Sequence, residues 1–258
     1  MIVLETIEVA FAMFSALPVP QPVWNEKNMR YAMCAFPLVG FACAGFWWVW
    51  SAACWYFSVP YLLQGAGLCL IPVLVTGGIH LDGYADTCDA LASNAGPAKK
   101  QEILKDHRCG AFAVIRLCTY FVSYLALCEA LEPSPQALWC MGWAFVLERA
   151  LSGLSICRFP LAKQTGLAHA FSTAADRSKA GYVLVGIAFL AAAGLLMGGA
   201  AGAVMLAAGL LVFRRYRIVA DKQFGGLSGD LAGWFLQRAE LWMLAVLTAC
   251  QLVSGGGL

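Results

Sequence analysis

Long apolar stretches separated by short charged segments dominate this chain, and they leave few folds open to it. The apolar runs fall at about 33–57, 61–79, 111–131, 137–157, 181–197, 200–213 and 234–253. A helix needs about 20 apolar residues to cross a bilayer. Inside lipid only a helix or a closed barrel satisfies its own backbone. Only 12% of the residues are charged and 61% are hydrophobic, whereas a soluble domain carries about 25% charge. The chain therefore reads as all-α: a polytopic integral membrane helical bundle of about seven spans, with one domain over 1–258. Residues 1–16 are apolar but carry Glu5 and Glu8 where a signal peptide has a basic flank, and no cleavage site follows. They read as an N-terminal interfacial or re-entrant helix, stopped by Leu17-Pro18-Val19-Pro20-Gln21-Pro22.

The centre of 181–213, Met197-Gly198-Gly199-Ala200-Ala201-Gly202, makes either a tight turn between two spans or a kink in one tilted span. Charge favours the turn. With seven spans, segments 17–31, 80–110, 158–180 and 214–232 share one side and hold fourteen of the seventeen Lys and Arg. The opposite side holds none; Arg116, Arg149 and Arg238 lie in or near spans. The positive-inside rule makes the charged side cytoplasmic, which predicts a multi-pass membrane protein with its polar chemistry on the cytoplasmic face. The net charge of +2 is too small to suggest nucleic acid as a partner. The eleven cysteines form no CxxC pair or Cys/His cluster and mostly read as small apolar residues. No internal repeat of the transporter kind is present.

The charged side gathers the chemistry. Asp82, Asp86 and Asp89 stand at i, i+4 and i+7 in Gly77-Gly78-Ile79-His80-Leu81-Asp82-Gly83-Tyr84-Ala85-Asp86-Thr87-Cys88-Asp89. On a helix they share one face. A solvated helix start accounts for one Asp, not three in a row; three carboxylates call for a hard cation, Mg2+ or alternatively Mn2+. His80 is a candidate general base. In Asp106-His107-Arg108-Cys109-Gly110, Asp106 is a second candidate base or a fourth metal ligand, and the planar fork of Arg108 suits a phosphate. Arg149, beside Glu148 inside a span, is a further candidate phosphate ligand, and Arg158 and Lys163 form a basic rim for an anionic substrate. In Gly225-Gly226-Leu227-Ser228-Gly229-Asp230, the residues Gly225, Gly226, Ser228 and Asp230 suit a loop whose N–H groups cradle a phosphate ahead of a helix.

These segments, with Leu17-Pro18-Val19-Pro20 and Phe36-Pro37-Leu38-Val39-Gly40, run nearly end to end, and the chain resembles the cobalamin synthase family, the adenosylcobinamide-GDP ribazoletransferases. Departures are Ala16 where the family often has Arg, Ala90 where it usually has Gly, and Ser228 where it often has Thr. The resemblance implies joining of α-ribazole, or its 5′-phosphate, to GDP-activated adenosylcobinamide with release of GMP. A hydroxyl attacking a diphosphate needs the cations and Arg side chains read from the residues. Expected partners are these two substrates, the lipid bilayer, other cobalamin-pathway enzymes and a second copy of the chain. The pattern also resembles the CDP-alcohol phosphotransferases, but Asp86 follows Ala85 where that family has Arg, and position 93 is Ser where it has a fourth Asp. A transporter for Mg2+ or a corrinoid is the alternative from another class.

Overall fold

The computed structural model describes residues 2–106, 108–162, 171 and 173–255. Eleven helices run through them: α1 (Ile2–Phe14), α2 (Glu26–Met29), α3 (Ala32–Tyr56), α4 (Tyr61–Thr76), α5 (Ile79–Ala92), α6 (Pro97–Ile103), α7 (Ala111–Ala130), α8 (Pro135–Arg158), α9 (Arg177–Met197), α10 (Gly199–Phe224) and α11 (Gly229–Val253). Among the described residues there is no strand, only an isolated bridge between Leu161 and Leu227. The all-helical expectation holds.

Local chemistry sets the helix ends. Ser134 caps α8 by accepting from the Ala137 N–H at 3.2 Å, with Pro135 at the first helical position. Asp176 caps α9 through the Lys179 N–H at 3.1 Å, a bond that holds its carboxyl below the ordinary range, helped by the Lys179 ammonium. Ser228 caps α11 through the Leu231 N–H at 3.3 Å.

Packing is arranged around α8. Its apolar window is 83% buried inside the protein, against 22% for α7 at the rim. α8 packs against α3, α9, α10 and α11. Indole N–H groups are satisfied by backbone carbonyls: Trp47 donates to Leu68 O at 3.0 Å, Trp50 to Gln64 O at 2.9 Å, and Trp139 to Gly194 O at 2.8 Å. In an apolar setting an unpaired N–H would be costly.

The two readings of 181–213 are separated by contacts. A Cβ on Gly202 would fall on the carbonyl of Leu195. In a continuous helix those two residues stand about two turns, or 10 Å, apart. The chain therefore reverses at Gly198 and Gly199, the latter at φ +72°, and α9 and α10 form a hairpin. The far end of α10 returns to where α9 began. There Arg177 Nε donates to Cys157 O at 3.0 Å, the Arg217 guanidinium lies 4.9 Å from the Phe159 ring centre, and Lys100 and Gln101 of α6 donate to Gln223 Oε1 (2.5 Å) and Phe224 O (2.6 Å). At the opposite end Gln251 exchanges hydrogen bonds with Glu132, at 3.0 and 2.8 Å.

Four helices, α3, α7, α8 and α9, are long and apolar enough to cross a membrane, and the broken pair α4–α5 makes a fifth. That is fewer than the expected seven. The reason is charge: α10 carries Arg214, Arg215, Arg217, Asp221 and Lys222, and α11 carries Asp230, Arg238 and Glu240.

Gly40 on α3 shows how closely the bundle is packed. A Cβ there would stand 2.5 Å from Phe145 O on α8, a backbone atom that cannot swing away, whereas a Cβ on Gly45 meets nothing within 4 Å. Gly40→Ala is expected to destabilise by about 1–3 kcal/mol, and Gly45→Ala to be neutral or slightly stabilising. Melting of the two variants in the same detergent checks this; equal melting temperatures would contradict the close approach of α3 and α8.

Candidate active site at the junction of α5 and α11

Two glycines create the site. Gly77 and Gly78 adopt φ +65° and +79°, a left-handed pair that L side chains rarely tolerate. They turn α5 through 94° from the axis of α4. α5 is then clasped by α11. A Cβ on Gly83 would stand 2.8 Å from Asp230 Cα, and one on Gly233 would stand 2.9 Å from His80 O. This leaves α5 buried on every side but one. Between residues 80 and 90 the only positions not buried are Asp82, Asp86 and Asp89. The sequence spacing thus becomes one open row of carboxylates.

A cavity of about 390 Å3 opens beside the first of them. Asp82, Lys105, Ser228 and Asp230 form its polar rim, and His80 lies at its buried side. Phe14, Phe36 and Phe171 make an aromatic wall, with ring centres 4.4 Å apart for Phe14–Phe36 and 5.6 Å for Phe14–Phe171. His80 is only 6% exposed, its ring is 5.6 Å from that of Phe36, and its Nε2 has no hydrogen-bond partner.

The loop before α7 reaches the other end of the row. A Cβ on Gly110 would fall on the Asp89 carboxylate. Arg108 grips Asp106 with a two-pronged fork, Nε to Oδ1 at 3.0 Å and Nη2 to Oδ2 at 2.8 Å. That hydrogen-bonded fork raises the Arg108 guanidinium above its ordinary value, and its side chain is 89% exposed. Asp106 and Arg108 therefore stand at the exposed rim.

Other candidates lie elsewhere. Arg149 differs most from expectation. It is 1% exposed, because α8 is enclosed on nearly all sides. Its guanidinium donates to Glu148 Oε1 (2.6 Å), Phe145 O (3.0 Å) and Cys43 Sγ (3.5 Å), and Glu240 of α11 lies beside the pair. It does not line the cavity. Arg158 lies against Gly181 and over the Tyr182 ring, 5.4 Å from its centre, also outside the cavity. Lys163 lies outside the described residues, as do His107 and His169.

The glycine-rich loop departs from the expected cradle. Gly225, at φ +70°, ends α10. The Gly226 N–H donates to Ala220 O at 2.9 Å and the Leu227 N–H to Pro160 O at 2.8 Å. A Cβ on Gly226 would stand 2.7 Å from Ala162 N. The first N–H closes the end of α10 and the second binds Pro160, so a phosphate is not what they hold. Ser228 and Asp230, the part of the loop that opens α11, do reach the cavity.

The sequence reading missed Lys105 and the aromatic wall. Lys105 directly precedes Asp106, which was the available signal. The three phenylalanines come from distant parts of the chain, Phe171 from the charged segment 158–180, with no spacing to mark them.

Among the described residues no three His, Cys, Asp or Glu groups stand close enough to hold one ion. The donor chemistry of the row, hard carboxylate oxygens on an open face, nonetheless suits Mg2+. Such an ion characteristically takes one or two carboxylates and completes its shell with water and substrate phosphates.

A helical bundle with four to five helices apolar enough to cross a membrane, and a carboxylate row lying beside a polar-rimmed cavity, is the architecture of a helical membrane protein with a polar site. The chain belongs to the cobalamin-5-phosphate synthase family, whose model matches residues 6–248. It is 39% identical over 248 residues to the adenosylcobinamide-GDP ribazoletransferase of Lachnoclostridium phytofermentans, covering 95% of this chain and 94% of that protein. Proteins of the same name from Geobacillus sp. (30% identity, 90% and 91% covered) and Clostridium botulinum (26%, 93% and 95%) are also similar. No solved structure matches the chain.

If Arg149 ties the bundle together, Arg149→Met should leave buried carboxylates unpaired and destabilise by about 3–5 kcal/mol. Adding Glu148→Gln should restore part of that loss. Thermal melting of both variants in detergent checks this. Undiminished stability in the single variant, with a raised substrate KM, would return Arg149 to the phosphate.

Proposed function

We propose that the chain is an adenosylcobinamide-GDP ribazoletransferase working at the cytoplasmic face of a bacterial inner membrane. The observation that carries this reading is the open row of Asp82, Asp86 and Asp89 beside the cavity, in a chain whose family and similar relatives bear that activity in their names. A ribose hydroxyl of α-ribazole, or of its 5′-phosphate, attacks the phosphorus next to the cobinamide. The new P–O bond forms as the bond to GMP breaks, GMP carries away the displaced charge, and the hydroxyl proton must be accepted.

The residues divide this work. Asp106, at the exposed rim, takes the proton. Arg108 passes from Asp106 to the phosphates, its fork matching two phosphate oxygens as well as two carboxylate oxygens. Lys105 and the opening turn of α11 add positive potential facing the diphosphate. The row of Asp82, Asp86 and Asp89 would hold Mg2+ (Mn2+ in its place), with one or two of these carboxylates on any one ion and water and substrate phosphates completing its shell. When bound, that ion supplies charge neutralisation on the diphosphate as the bond to GMP breaks.

Seven spans fit this function: α3, α4, α7, α8, α9, α10 and α11. The α9–α10 hairpin supports that count, since it brings the basic end of α10 to the same end as Lys100, Arg158 and Arg177. Trp55 and Tyr61, 84% and 74% exposed near the other end, suit the opposite interface. The membrane then tethers the enzyme, with room for other enzymes of the pathway or a second copy beside it.

Detergent-purified protein given adenosylcobinamide-GDP, α-ribazole and Mg2+ should make cobalamin and release GMP with no membrane gradient. Absence of both products would overturn the reading. Asp82→Asn and Asp86→Asn should each lower turnover by at least about a hundredfold, the scale for losing an electrostatic stabiliser, with unchanged melting.

Orientation is tested by labelling on a Cys-free background. Ser178→Cys and Lys222→Cys should both react from the cytoplasm only. Labelling of position 222 from the periplasm alone would remove the seven-span arrangement.

A further inference from the structure

The interior of the cavity beside Asp82 does not suit a phosphate. Phe14, Phe36 and Phe171 wall it, the buried Ser152 adds a hydroxyl, and among the described residues that line it the one buried side-chain polar atom without a hydrogen-bond partner is His80 Nε2. Buried polar atoms in native structures are normally paired. An unpaired one on a residue that lines a cavity is a place where a ligand atom, taking the place of water, can find a partner.

Size narrows the ligand. The cavity holds about 390 Å3, near the low end of the ~300–1,000 Å3 range of small-molecule sites. That is room for a nucleoside, not for a corrin macrocycle with its nucleotide tail. Polarity narrows it again. Guanine presents several donors and acceptors along its edge, and a phenylalanine wall would leave them unpaired. A benzimidazole presents two flat apolar faces and one ring nitrogen free to accept.

We infer that the cavity receives the base of the nucleoside acceptor: a benzimidazole packed among Phe14, Phe36 and Phe171, with His80 donating from Nε2 to the ring nitrogen that does not carry the ribose. This rests on the transferase reading above. The ribose then lies at the rim, near Asp82, Ser228 and Asp230. The corrinoid and its diphosphate stay outside, along the open carboxylate row. His80 thereby acts in base recognition, and the proton of the attacking hydroxyl goes elsewhere.

The test uses the full-length protein in detergent with α-ribazole and an indole nucleoside, which has C–H in place of the accepting nitrogen. The unmodified protein should prefer α-ribazole by about tenfold or more in kcat/KM, the scale of one buried hydrogen bond. His80→Ala should shrink that preference to about twofold and leave the KM for adenosylcobinamide-GDP unchanged. His80→Gln, which keeps an N–H donor, should retain most of the preference. Phe36→Ala should weaken α-ribazole binding about tenfold when titrated calorimetrically without corrinoid. No preference in the unmodified protein, a preference surviving in His80→Ala, or a raised corrinoid KM in place of the nucleoside effect would each overturn the assignment. Cobalamin formation with no such preference removes the base site alone. A protein that binds α-ribazole through Phe36 but forms no cobalamin keeps the site and loses the transferase reading.

Discussion

The close approach of α5 to α11 governs the polar end of this bundle. It depends on two missing side chains. Without a Cβ at Gly83 and Gly233, backbone meets backbone near Asp230 and His80. Dispersion and shape, more than hydrophobic burial, favour such contacts in an apolar surrounding. The same contact, with α7 packed against α5 as well, buries residues 80–90 except their carboxylate face, draws the start of α11 to the cavity, and seats His80 against Phe36. One larger residue at either glycine would separate all three.

Much of the architecture was legible because lipid imposes a simple rule on the backbone. The apolar runs found the long helices to within about five residues, except α10, which continues eleven residues past the expected end at 213 through its charged stretch to Phe224. The carboxylate row was legible for a similar reason: a spacing of four and three has one meaning on a helix. The glycine pair at 198–199 carried both a turn and a kink, and only the contact from Gly202 to Leu195 separates them.

What could not be read has physical causes. In a chain this apolar, Phe14, Phe36 and Phe171 look like any lipid-facing or core aromatic, so their meeting at one cavity leaves no pattern in sequence. A glycine-rich loop can offer its N–H groups to an anion or to neighbouring backbone, and here Pro160 and Ala220 accept them. Arg149 carried the same ambiguity. An arginine inside a span pairs with something buried, and the sequence did not say whether that was Glu148 or a substrate.

The buried group formed by Glu148, Arg149 and Glu240 bears on how the bundle is put together in the cell. α8 is synthesised well before α11. Its Glu148 and Arg149 are adjacent and joined at 2.6 Å, so that helix enters lipid with its charges already matched. α11 brings Glu240, 2% exposed in the finished protein, and an isolated carboxylate is expensive to take out of water. That expense falls only once α8 is in place to receive it. Chain order and electrostatics therefore agree on a direction of assembly, in which α8 is made first and α11 docks onto an arginine already in place.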